Sequence, residues 1–187
     1  MQFKMLLMQK PLKQLQNFLY NNMDKLKSAP KGVLRENITI VHTDKDGVIK
    51  DTRRISNLVP SAGLAGIASR INGSGAEAAF TYLAIGIGTV DPDPADTTLG
   101  SEITTNGGER DAGTGAAAVS RTTTNVANDT ATLIKTWTFT GSFAVTETGA
   151  FNSDTAGTML NRSKFTAINV VSTDQMQVTV DLAFANA

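Results

Sequence analysis

The stretch Tyr82 to Glu102, YLAIGIGTVDPDPADTTLGSE, sets glycines behind an apolar run, as a phosphate-wrapping turn does. Gly86 and Gly88 have no third glycine at the spacing a dinucleotide fingerprint needs. No helical pattern starts there to aim an N-terminus at a pyrophosphate. Nor does Lys-Ser or Lys-Thr follow Gly88, so a phosphate loop fails too. No nucleotide or other cofactor is expected.

Asp91, Asp93 and Asp96 cluster as hard-cation ligands would. Pro92 and Pro94 interrupt them, and neither the central glycine nor the closing glutamate of a helix-loop-helix calcium site is in place. A proline-stiffened polar loop without metal is the expected reading. Carboxylate pairs suited to acid/base work are Glu102 with Glu109 and Glu147 with Asp154, but nothing marks either pair out. The single histidine, His42, lies in an alternating run, and no Gly-x-Ser-x-Gly turn supplies an activated serine. His42 reads as a strand-face residue. With no cysteine, thiolate chemistry and disulfides are excluded. No catalytic residue is assigned, and the chain is not expected to be an enzyme.

The 187 residues suffice for one domain with a real core plus an arm. Charge balances overall but not along the chain. Residues 1 to 60 hold 11 basic and 5 acidic residues, while 61 to 187 hold 6 and 12. This asymmetry suits an arm that docks on an acidic surface, including a copy of its own body, and equally suits a solvated basic helix. The sheet-forming part lacks the basic face with interleaved aromatics that nucleic acid would require. The start, MQFKMLLMQ, has too few apolar residues to span a membrane and leads into no small-residue cleavage site. A soluble protein without a cleaved signal is expected, with neither nucleic acid nor membrane as partner.

Elements follow from periodicity. Leu12, Leu15, Phe18, Leu19, Met23 and Leu26 recur at helical intervals after Pro11, which predicts an amphipathic N-terminal helix and an arm over 1–31. Residues 32–187 then form a hairpin and a mainly β assembly domain. The hairpin turns at Asp44-Lys45-Asp46-Gly47, with Gly47 supplying a positive φ. SNLVPSAGLAGIASRI predicts a short helix packed closely on a sheet, capped by Ser61, with Leu58, Leu64, Ile67, Ala68 and Ile71 on one face. Gly63 and Gly66 weaken its helical propensity. Period-two alternation predicts strands over Ala116–Val126, Thr130–Phe139, Ser142–Phe151 and Met176–Phe184. In the last, Met176, Val178, Val180, Leu182 and Phe184 share the core face. The fold class is mainly β (α+β): an antiparallel sandwich or partly closed barrel with an N-terminal amphipathic helix, a β-hairpin and one short packed helix.

Four segments, RRISNLVPSAGLAGIASRI, YLAIGIGT, DTTLGSEI and VTETGAFNSDTAGTMLNRSKF, occur in an order and spacing that resembles a family of bacteriophage virion proteins. It includes the attachment domain at the N-terminus of phage tail-collar fibres. The matching residues are Ala62, Gly63, Leu64, Ile67 and Ala68; Gly86 and Gly88; Thr98, Leu99 and Glu102; and Glu147, Gly149, Phe151, Gly157, Leu160, Arg162 and Phe165. Ala150 departs from the family's large apolar residue before Phe151, and a fibre shaft after Ala187 is not expected. The resemblance covers about residues 53 to 184 and implies a structural role in a virion made in the host cytoplasm, with no catalytic site to carry over. The expected function is a tail, collar or fibre-attachment component assembling in symmetric copies on other virion proteins. The alternatives are a capsid decoration or head-fibre protein, and a tail-tip module that binds or cleaves glycan. In the structural reading Gly86 and Gly88 serve geometry, by positive φ or close backbone approach, and Glu147 pairs with Arg162 across neighbouring strands.

Overall fold

The computed structural model describes residues 33–112, 118–121 and 129–185. The helix expected from Leu12, Leu15, Phe18 and Leu19, and with it the arm 1–31, lies outside the described residues, as does most of the strand expected over Ala116–Val126. What is described is mainly β, two antiparallel sheets and one helix, in agreement with the sandwich reading.

Strands β1 (Val33–Thr43) and β2 (Ile49–Ile55) form the expected hairpin. Its turn closes because the Asp44 carboxylate accepts the Asp46 and Val48 N–H groups, both at 2.9 Å, while Gly47 takes φ +78°. Helix α1 (Ser61–Asn72) follows, then β3 (Tyr82–Gly86), β4 (Asp111–Ala112), β5 (Ala118–Arg121), β6 (Thr130–Thr138), β7 (Phe143–Phe151), β8 (Met159–Val170) and β9 (Gln175–Ala185). One sheet runs β2-β1-β9-β6-β5 and the other β4-β3-β7-β8.

Alternation carries the core. Ile38 and Ile40 of β1, Leu133 and Trp137 of β6, and Met176, Val178 and Val180 of β9 meet Leu83 and Ile85 of β3, Val145 of β7 and Phe165 and Ile168 of β8 in one buried cluster. Phe184, expected on the core face of β9, is instead 51 % exposed near the end of the strand, where it lines an open groove with Ile71 and Leu182. The four-stranded sheet is buried on both faces. Its outer side holds Ala84, Phe151 and Met159 under Leu99 of the loop that follows β3. This double burial explains why β8 does not alternate in sequence: Asn161, Arg162 and Ser163 are all at most 2 % exposed.

Helix α1 lies flush on β8, turned from the expected face: Ile67 of that face packs against the core beside Gly63 and Gly66. Gly63 and Gly66 are buried, whereas Leu64 is 54 % and Ile71 79 % exposed, which corrects the expected apolar face. A Cβ on Gly63 would overlap the Leu160 carbonyl oxygen, so only a bare backbone permits this approach. Ser61 makes no capping bond; Pro60 occupies the cap position in extended conformation.

Both lateral openings between the sheets are bridged by cations. On one side Arg53 of β2 donates to the Thr166 and Ala167 carbonyls of β8. On the other, Lys135 of β6 reaches Asp111 of β4 at 2.6 Å, and Trp137 Nε1 donates to the Glu109 carbonyl at 2.8 Å.

Candidate functional site

The residues singled out in the sequence converge on the outer face of β7 and β8. Gly86 faces Glu147 in the β3–β7 ladder, and Gly149 faces Arg162 in the β7–β8 ladder. Glu147 and Arg162 are therefore diagonal neighbours on one face, within reach of a long side chain. The chain leaves β3 at Gly86, makes an excursion, and returns beside the same strand, where Ile87 N–H donates to Ser101 O at 2.8 Å and Ile103 N–H to Ile85 O at 2.9 Å. That excursion wraps the Glu147 carboxylate.

Glu147 is fully buried and accepts five hydrogen bonds. Three come from backbone N–H groups, of Gly88 at 3.0 Å, Gly100 at 3.0 Å and Ser101 at 2.7 Å. Two come from Arg162, Nε at 3.0 Å and Nη2 at 2.8 Å. The remaining Arg162 donors reach Asp96 at 2.6 Å and the Val90 carbonyl at 3.1 Å. A buried ion pair is tolerable only when such bonds satisfy nearly every lone pair and proton, and here they do. Burial pushes the Arg162 guanidinium down, but Asp96 and Glu147 more than offset this and raise it. Burial likewise pushes Asp96 up, and the Asp93 N–H and Arg162 hold it below its ordinary range.

The glycines serve this contact by close approach. Neither Gly86 nor Gly88 has a positive φ. A Cβ on Gly86 would lie 2.6 Å from Glu147 Oε1, and one on Gly88 would overlap the same oxygen. Arg110 makes a second tie: it stacks 3.5 Å over the Phe151 ring, pairs with Glu102 through Nε at 2.8 Å, and donates to the Ala156 carbonyl at 2.8 Å.

The other candidates are engaged elsewhere. Asp91 pairs with Lys164, Asp93 accepts the Ala95 N–H, and Asp96 belongs to Arg162, so the three aspartates do not converge. Among the described residues no group of acidic or histidine side chains is arranged to hold a metal. Of the carboxylates considered for acid/base work, Glu102 is engaged by Arg110 and Glu147 by Arg162, while Glu109 accepts the Gly107 N–H and Asp154 the neighbouring Ser153 hydroxyl. His42 is buried in β1, with Nε2 2.9 Å from Asp174 Oδ2, and Lys50 binds the same carboxylate. Burial pushes Asp174 up, but Lys50, His42 and the Val171 N–H hold it below its ordinary range.

Sequence reasoning missed Gly100, Ser101 and Arg110. The first two act through backbone N–H groups, which leave no side-chain signature. Arg110 follows a Gly-Gly-Glu run that reads as a plain turn. Surface grooves among the described residues include the following two. One of about 450 Å³ is lined largely by apolar residues of α1, β6 and β9, including Ile71, Leu133 and Leu182. The other, of about 580 Å³, lies over Ser163 and Lys164 and is mixed in character. No helix among the described residues is long and apolar enough to cross a membrane.

Compared with protein-family models, with curated proteins and with solved structures, the chain gives no match.

Proposed function

We propose that the chain is a structural protein of a bacteriophage particle, a tail, collar or fibre-attachment component that assembles in symmetric copies. The observation that carries this reading is the use made of the resemblance residues. Gly86, Gly88, Glu102, Glu147, Gly149, Phe151 and Arg162 take part in one adjoining set of contacts that holds loops onto a sheet. Glu147, the acid most buried in it, spends its acceptor capacity on five internal donors. A general base needs a free lone pair facing substrate, and this carboxylate has none to offer. The arrangement suits a rigid platform for partner proteins better than a reaction centre.

The test is fractionation. Particles of the phage that encodes the chain are disrupted, heads and tails are separated, and each fraction is probed by immunoblot. Recovery with tails is expected. Recovery with emptied heads, together with a rise in their thermal stability on adding the protein back, would replace this reading with capsid decoration. Absence from particles would overturn the structural role.

A further inference from the structure

Glu36 lies two residues before Ile38 and four before Ile40 on β1, and so points to the same inward side as these fully buried residues. Both of its carboxyl oxygens are sealed from solvent and have no hydrogen-bond partner. Facing it is Asn161 of β8, fully buried, whose Oδ1 accepts the Ala150 N–H at 2.9 Å and whose Nδ2 is also buried without a partner. The Asn161 amide nitrogen thus lies near enough to the Glu36 carboxyl to act on it, yet makes no well-formed hydrogen bond to it in the seam between the sheets.

An ionised carboxylate sealed in this way lacks the donors it needs, whereas the neutral acid demands far less. The charged groups on the surrounding elements are committed elsewhere. On β2, Lys50 goes to Asp174, Asp51 and Arg53 pair with each other, and Arg54 is exposed. On β8, Arg162 goes to Glu147 and Asp96, and Lys164 to Asp91; on β9, Asp181 accepts the Thr132 hydroxyl.

We propose that Glu36 and Asn161 form a proton-controlled latch between β1 and β8, closed while the carboxyl holds its proton and loosened when it gives the proton up. Burial pushes the Glu36 carboxyl up to about 8, and the Asn161 amide pulls weakly the other way. Because the folded value is raised, the closed state keeps its full stability below the ordinary value of 4.5. Between 4.5 and about 8 the closed seam holds a proton that the opened one has released, so closure weakens as pH rises, and it levels off above about 8.

The test uses the intact chain. The Glu36 carboxyl is titrated by carbon NMR, and hydrogen exchange is followed at the Leu58 amide, which bonds the Arg162 carbonyl at 2.9 Å beside the seam. Native protein is compared with E36Q after correction for base-catalysed exchange. The expected result is a titration near 8, with protection in E36Q exceeding that of the native chain by a ratio that widens up to about tenfold per pH unit and then levels. A carboxyl titrating in the ordinary glutamate range, or parallel protection curves, would overturn the latch. If E36Q does not fold, the native chain still decides: its carboxyl titration and its loss of protection must level at the same pH, and a mismatch sinks the proposal.

Discussion

The guanidinium of Arg162 lies 2.8 Å from the Glu147 carboxylate across the β7–β8 ladder, and neither side chain is more than 3 % exposed. Through Asp96, Val90, Gly88, Gly100 and Ser101 the same pair fastens the loop after β3 to the sheet.

Removing Arg162 leaves Glu147 buried without a cation, and removing Glu147 leaves Arg162 buried with only Asp96 and the Val90 carbonyl. Glu147→Ala is expected to cost about 3–5 kcal/mol, and Arg162→Met a comparable amount. The double variant should cost much less than the two losses combined. Chemical denaturation of the four proteins measures this coupling; strictly additive losses would contradict it.

Gly88→Ala places a methyl where Glu147 Oε1 already sits. Overpacking of this kind is expected to cost about 1–3 kcal/mol. A second change, Glu147→Gly, should remove much of the clash, so Gly88→Ala should be less harmful in that background. A melting temperature unchanged by Gly88→Ala alone would mean the loop is not held against the carboxylate.

Much of this architecture was legible. β6 and β9 alternate because only one face of their sheet needs apolar side chains, and the Asp44–Gly47 turn carries its own geometry. β8 was hidden because its polar residues are buried: Arg162 and Asn161 read as surface until Glu147 and the Ala150 N–H are in place opposite them. The face of α1 was misread for a related reason. Leu64 and Ile71 are apolar, yet the residues that let the helix touch β8 are those with no side chain. The glycines around Glu147 were recognised as geometric, but their partners Gly100 and Ser101 act through N–H groups common to every residue.

Asp174 joins the β1–β2 hairpin to the turn before β9 through His42 and Lys50. Its carboxyl is held below the ordinary 3.8, so its contribution is present above that value and is lost as pH falls through the lower folded value. In that window the unfolded chain binds the extra proton, and stability drops with acid. Against native protein, Asp174→Asn should be less stable near neutrality, with the gap narrowing below about pH 3.8. Denaturation midpoints across this range check it, and a constant gap would contradict it.

Arg53 covers the Thr166 and Ala167 carbonyls on the edge of β8. Arg53→Ala is expected to cost about 1 kcal/mol and to leave those edge carbonyls open to another strand. Light scattering at rising concentration should show more self-association than in the native chain. Equal scattering would show that the edge is protected by something else.

The most direct test of a structural role in a phage particle is to find the chain there. Purified particles are decorated with a labelled antibody fragment against it and viewed by electron microscopy. Label confined to the tail or neck, repeated in symmetric copies, is the predicted result. Particles that carry no label, when the same fragment binds the free protein, would contradict it.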